Sequence, residues 1–189
     1  MIKKLLNKKN YYNFFVKNNL GQVWIETVIY TLIAFVMIGL VLGYARPKIQ
    51  EIQDQALLKQ SIEMLKQIDS TLLSMGSAGN QRILEISIQK GELKIDGEYE
   101  KIIFEMESES LYSEPGTEIT DGSVIILTEE GADTNLVKLT LNYSDIYNLK
   151  IQGKDEIKTL SAASTSYKFS ILNEGTDTNG EPIMNLTIS

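Results

Sequence analysis

Residues 27–45 read TVIYTLIAFVMIGLVLGYA, nineteen consecutive uncharged residues between Glu26 and Arg46. As an α-helix rising 1.5 Å per residue they span roughly 28 Å, close to the hydrocarbon thickness of a bilayer. So continuous a run predicts a membrane-crossing helix rather than the core helix of a soluble domain. It also fits a secretory signal poorly. Such signals have an apolar region of about 7–15 residues ending at a small-residue cleavage site, which Gly43-Tyr44-Ala45-Arg46-Pro47 does not resemble. Trp24 and Tyr44 bracket the run as interfacial aromatics do.

Charge on either side sets the expected orientation. Residues 1–21 carry Lys3, Lys4, Lys8, Lys9 and Lys17 with no acid, whereas the remaining 168 residues hold 13 basic against 25 acidic side chains. The basic stretch is expected to stay cytoplasmic, with everything beyond the span outside. The overall net charge of −7 argues against a nucleic-acid binder held by bulk charge. With no cysteine and no histidine, disulfides, thiolate nucleophiles, histidine bases and most soft-metal sites are excluded. No phosphate-cradling glycine loop or catalytic constellation emerges, so no enzyme activity and no cofactor are expected.

Beyond the span, from Pro47 to about Met75, Leu58, Ile62, Leu65, Leu72 and Met75 recur three, four or seven residues apart, led in by Ile49, Ile52 and Ala56. This spacing predicts an amphipathic helix, with Lys59, Glu63, Lys66 and Asp69 on its wet face. Span and amphipathic stretch together predict one helix of about fifty residues, loosened near Pro47, which lacks an N–H for the carbonyl of Gly43. Gly76-Ser77-Ala78-Gly79-Asn80 then stops it.

From Ile83 onward the period changes to short β-favouring runs at 83–88, 92–96, 99–106, 124–127, 136–142, 146–151, 167–172 and 183–188. Turn residues separate them, among them Lys90-Gly91, Asp96-Gly97, Asp121-Gly122 and Asn179-Gly180. The fold class expected is α+β: a long N-terminal helix followed by an antiparallel β-sandwich-like head of seven or eight strands. Its predicted core is Ile86, Ile88, Leu93, Ile102, Phe104, Ile126, Leu139, Leu141, Phe169 and Ile171. The expected organisation is a leader (1–21), an apolar transmembrane or filament-core helix (22–46), an amphipathic helix and turn (47–79), and a β-rich head (80–189).

Gly21-Gln22-Val23-Trp24-Ile25-Glu26, running directly into the apolar stretch, resembles the processing site of archaeal type IV pilin precursors with a class III signal peptide. In that family a prepilin peptidase cuts after a glycine on the cytoplasmic side, the mature chain often begins with glutamine, and a glutamate stands fifth. Gln22 and Glu26 take those positions. Leu20 stands where the family usually has a basic residue. The resemblance implies cleavage between Gly21 and Gln22, transfer through a pilus assembly platform, and a homo-oligomeric helical filament at the cell surface built from apolar helices with β-rich heads outside.

Physical reasoning gives the same residues roles. Cleavage would discard the five lysines that tether the helix to the cytoplasmic side and create a charged amino group at Gln22. Glu26, costly in hydrocarbon, would then register subunits or orient the precursor; resting at the headgroup boundary is the plainer reading. Gly39 and Gly43 form a GxxxG spacing suited to close helix packing, although glycine is common in membrane helices. Asn142-Tyr143-Ser144 and Asn185-Leu186-Thr187 match N-glycosylation acceptors and predict surface placement. The acidic series Glu105, Glu107, Glu109 reads as a solvated strand face rather than a cation site.

The expected function is therefore a structural subunit of an extracellular type IV pilus-like filament, with surface adhesion a secondary role. The rivals are an uncleaved single-pass cell-surface binding protein and an archaellin of a motility filament.

Overall fold

The structure, a computed structural model, describes the backbone of residues 20–189 and the side chains from residue 23. The basic residues of the expected leader therefore lie outside the described residues. The chain divides into two compact units, residues 1–45 and 46–189.

One helix, α1 (Leu20–Leu73), accounts for all the helical structure described, and ten strands follow it: β1 (Gln81–Ile86), β2 (Glu92–Asp96), β3 (Lys101–Ser108), β4 (Ile119–Asp121), β5 (Val124–Glu129), β6 (Asn135–Asn142), β7 (Asn148–Ile151), β8 (Ile157–Ser161), β9 (Tyr167–Thr176) and β10 (Pro182–Ile188). The protein is thus α+β. Pro47 lies inside the 54-residue helix. In the first unit every described side chain from Val23 to Tyr44 is exposed.

In the second unit the same helix behaves as an amphipathic one. Leu58, Ile62, Leu65, Ile68 and Leu72 are buried in one apolar cluster with side chains from the strands. Fully burying five such side chains is worth roughly 10 kcal/mol as an upper estimate, which makes this row the main force holding residues 55–73 in the domain.

The strands form two sheets, a six-stranded one in the order β4-β5-β6-β3-β2-β8 and a four-stranded one in the order β1-β9-β10-β7. Alternation decides which side chains go inward. Ile102, Phe104 and Met106 of β3 are buried, as are Val137, Leu139 and Leu141 of β6 and Phe169 and Ile171 of β9. All ten side chains predicted for the core are buried.

Several expectations are corrected. Asp69 belongs to the buried face of α1, not the wet one, and Ile49, Ile52 and Ala56, which lead into the apolar row in sequence, are exposed and do not join its buried face. The helix turns its Asp54–Leu58–Ile62 face inward, which puts positions 49, 52 and 56 on the opposite side. Ten strands replace seven or eight. β4, three residues long, and β8, an edge strand with four of five side chains exposed, lack the apolar alternation that would have revealed them. Pairing is antiparallel except for β10 with β7, which is parallel. Ile88 is buried but lies just beyond β1.

Turn chemistry follows the sequence. Asp121-Gly122 opens the tight β4–β5 hairpin, in which Asp121 faces Val124 and Gly122 takes a φ of 67°. At the β2–β3 turn, Asp96 caps the chain by accepting the N–H groups of Glu98 and Tyr99, both at 3.1 Å.

Candidate assembly helix and its clamp

The surface most in need of a partner is the first half of α1. Sixteen large hydrophobic side chains between Val23 and Tyr44 are exposed, on all sides of the helix. An all-round apolar helix is stable only when covered by lipid or by other protein. Its two threonines are already satisfied: Thr27 Oγ1 donates to the Val23 carbonyl at 2.9 Å and Thr31 Oγ1 to that of Thr27 at 2.7 Å. This closes the hydroxyls within the helix, as a low-dielectric surrounding demands.

The predicted site residues fall on this segment. Gly21 and Gln22 are helical in backbone, and their side-chain surroundings lie outside the description. Glu26 is exposed and is the only formally charged residue from 23 to 45. Gly39 and Gly43 have no atom within 4 Å of where a Cβ would stand, so both leave open backbone on the helix surface. By length and composition, α1 is the one described helix able to cross a membrane.

Within the second unit two buried aspartates clamp the later part of α1. Asp54 is wholly buried. Its Oδ1 accepts from Lys90 Nζ at 2.7 Å and from Gln50 Nε2 at 3.0 Å, and its Oδ2 from the backbone N–H of Glu109 at 2.9 Å. Burial pushes this carboxyl up, but the hydrogen bonds from Lys90, Glu109 and Gln50 and the Lys90 charge outweigh it and hold Asp54 below its ordinary value. Next to it, Gln55 Nε2 donates to Ser110 Oγ at 2.9 Å.

Fifteen residues along, Asp69 accepts from Ser123 Oγ at 2.7 Å and from Tyr143 Oη at 2.9 Å. Burial, and then the charge and hydrogen bond of Asp69, raise the Tyr143 hydroxyl far above its ordinary pKa, so it remains the donor. The Tyr143 ring lies tilted against Tyr147 at 5.7 Å. Net hydrogen-bond energies are near 1 kcal/mol each, far below the apolar row they bracket, so the clamps set register rather than supply most of the attachment. Tyr143→Phe is expected to cost about 2 kcal/mol, read from the midpoint of urea unfolding, because it leaves Asp69 one donor short.

Neither aspartate was assigned this role by sequence. The available signal was an acid recurring on the apolar face, since Asp54 and Asp69 fall in the same helical register as Leu58, Ile62, Leu65 and Leu72.

The glycosylation patterns occupy different settings. Asn142 ends β6 exposed, its Oδ1 accepting from Ser144 Oγ at 2.8 Å. Asn185 is half-buried within β10, with Nδ2 donating to Glu174 at 2.6 Å and Oδ1 accepting from the Gly153 N–H at 3.0 Å. Asn142 is thus the more accessible amide. Glu107 and Glu109 are exposed and Glu105 pairs with Lys138 at 3.4 Å. Among the described residues, no group of three or more acidic side chains is arranged to hold a metal ion.

These features define a class: a protein with one long N-terminal helix, apolar in its first half, and a mostly antiparallel β domain that buries one face of the helix's later turns. No known family, curated protein or solved structure matches the chain.

Proposed function

We propose that this chain is a structural subunit of an extracellular type IV pilus-like filament. It enters the cytoplasmic membrane with its lysines inside and is cut by a prepilin peptidase between Gly21 and Gln22. An assembly platform then packs it with its copies through residues 23–45, leaving a sandwich-like β head outside. The observation that carries this reading is the exposure of every described side chain from Val23 to Tyr44, in a chain whose second unit builds a buried apolar core of its own. Loss of the lysine-rich leader removes the charges that oppose extraction from lipid, and the freed amino group adds a positive charge near Glu26.

The length of the run suits a bilayer equally well, which favours an uncleaved single-pass anchor as the second reading. Native protein recovered from the cell surface and sequenced from its N-terminus separates the two. A start at Gln22, with filaments seen by electron microscopy that contain this chain, is the expected result. Retained lysines on a solitary, bilayer-bound protein would overturn the filament reading.

A further inference from the structure

We propose that the face of α1 formed by Ile49, Ile52 and Ala56 receives the apolar helix of a second copy of this chain, with Arg46 on its flank meeting the Glu26 of that copy. This rests on the filament reading and names the partner surface within it.

Ile49 is 53% and Ile52 65% exposed, and Ala56 is exposed as well. Spaced three and four residues apart, they share one side of the helix, opposite the row that begins with Asp54 and Leu58. Lipid does not cover them. The same turns carry exposed Lys48 and Lys59, together with Glu51, which pairs with Lys48 at 2.5 Å. Placing such charges in hydrocarbon is costly, so this stripe stands outside the bilayer and only protein can take it out of water.

The chain supplies a matching occupant. Residues 23–44 are apolar on every side, and their single formal charge is the carboxylate of Glu26. Beside the stripe, Arg46 is exposed and takes part in none of the ion pairs among the described residues. Setting Glu26 of one copy beside Arg46 of the next gives two parallel helices displaced by twenty residues in register. Ala34 of the incoming helix then stands level with Asp54, within a turn of Ile52, and its small side chain admits the isoleucine.

The surfaces brought together are different ones. The contact is therefore heterologous: each copy offers both halves, and repetition gives an open helical filament instead of a closed dimer.

The sequence has no cysteine, so disulfide mapping has no background. Filaments of an Ile52→Cys/Ala34→Cys double variant, mildly oxidised, are expected to give a covalent ladder extending well beyond dimers, with neither single variant doing so. Dimers formed efficiently by Ile52→Cys alone would show a self-complementary face and overturn the proposal, as would filaments of normal appearance without a ladder. Arg46→Glu is expected to lose most filaments while the cleaved subunit accumulates, and Arg46→Lys to keep them; unchanged assembly of Arg46→Glu would remove the charge pairing. Wild-type protein that forms no filaments overturns the filament reading itself, a failure distinct from the others.

Discussion

Asp54→Ala is expected to lower the stability of the second unit by about 3 kcal/mol, measured as a shift of the urea midpoint at neutral pH. The substitution leaves Lys90 Nζ, Gln50 Nε2 and the Glu109 N–H without their acceptor. Removing one partner of a buried ion pair costs about 3–5 kcal/mol, and the lower end applies because the Lys90 side chain is 35% exposed and regains water.

The pH dependence follows from the sign of the Asp54 shift. Its carboxyl is held below the ordinary 3.8 in the folded chain, so its contribution is fully present above the unfolded value. It fades as the pH falls through the lower folded value. Wild type should therefore lose stability below about pH 4 in a part that Asp54→Ala does not lose. A variant as stable as wild type at pH 7, or one with an unchanged acid limb, would show that the apolar row alone positions the helix.

Gly91→Ala is expected to cost about 4 kcal/mol, or to prevent folding, through a different cause. Gly91 has a φ of 89°, a conformation that side-chain-bearing residues rarely take. A Cβ there would collide with the Glu105 carbonyl oxygen and stand 3.0 Å from Cζ of Phe104, itself in the core. Backbone cannot swing aside as a flexible side chain does, so strain and overpacking add. The neighbouring Lys90 is the clamp on Asp54, and displacing this turn should loosen that bond as well. Gly91→Ala combined with Asp54→Ala should therefore fall short of the sum of the two single losses. Full additivity in such a cycle would separate the turn from the clamp.

Much of the fold was legible because it rests on short-range periodicity. The uncharged run at 27–45, the spacing of Leu58, Ile62, Leu65 and Leu72, and the strict alternation in β3 and β6 each declare their element within a few residues. The strands missed were those without that pattern. β8 sits at an edge, paired only with β2 and exposed along most of its length, so its sequence, IKTLS, carries no inward stripe. The parallel pairing of β10 with β7 depends on residues more than thirty positions apart, which local pattern does not encode.

The candidate site divides in the same way. Gly21, Gln22 and Glu26 were named on a resemblance carried by six consecutive residues, and Gly39 and Gly43 on their spacing, so both are proposals that need only neighbours in the chain. Asp54 and Asp69 were not named, since a charged residue on a helix reads as solvent-facing until its partners are known. Lys90 and Glu109 come from the β1–β2 connection and the residue after β3, and Ser123 and Tyr143 from two further turns.

By itself, then, the sequence determined that a long apolar helix precedes a β-rich domain, where that helix is uncharged, and which alternating side chains go inward. Hydrophobic periodicity is a local property, and the chain states it directly. Only the tertiary structure decided that two acids belong to the buried side of the later helix and that Ile49, Ile52 and Ala56 are left uncovered. The burial of the acids depends on distant donors meeting each carboxylate, a long-range matter of packing that no window of neighbouring residues contains.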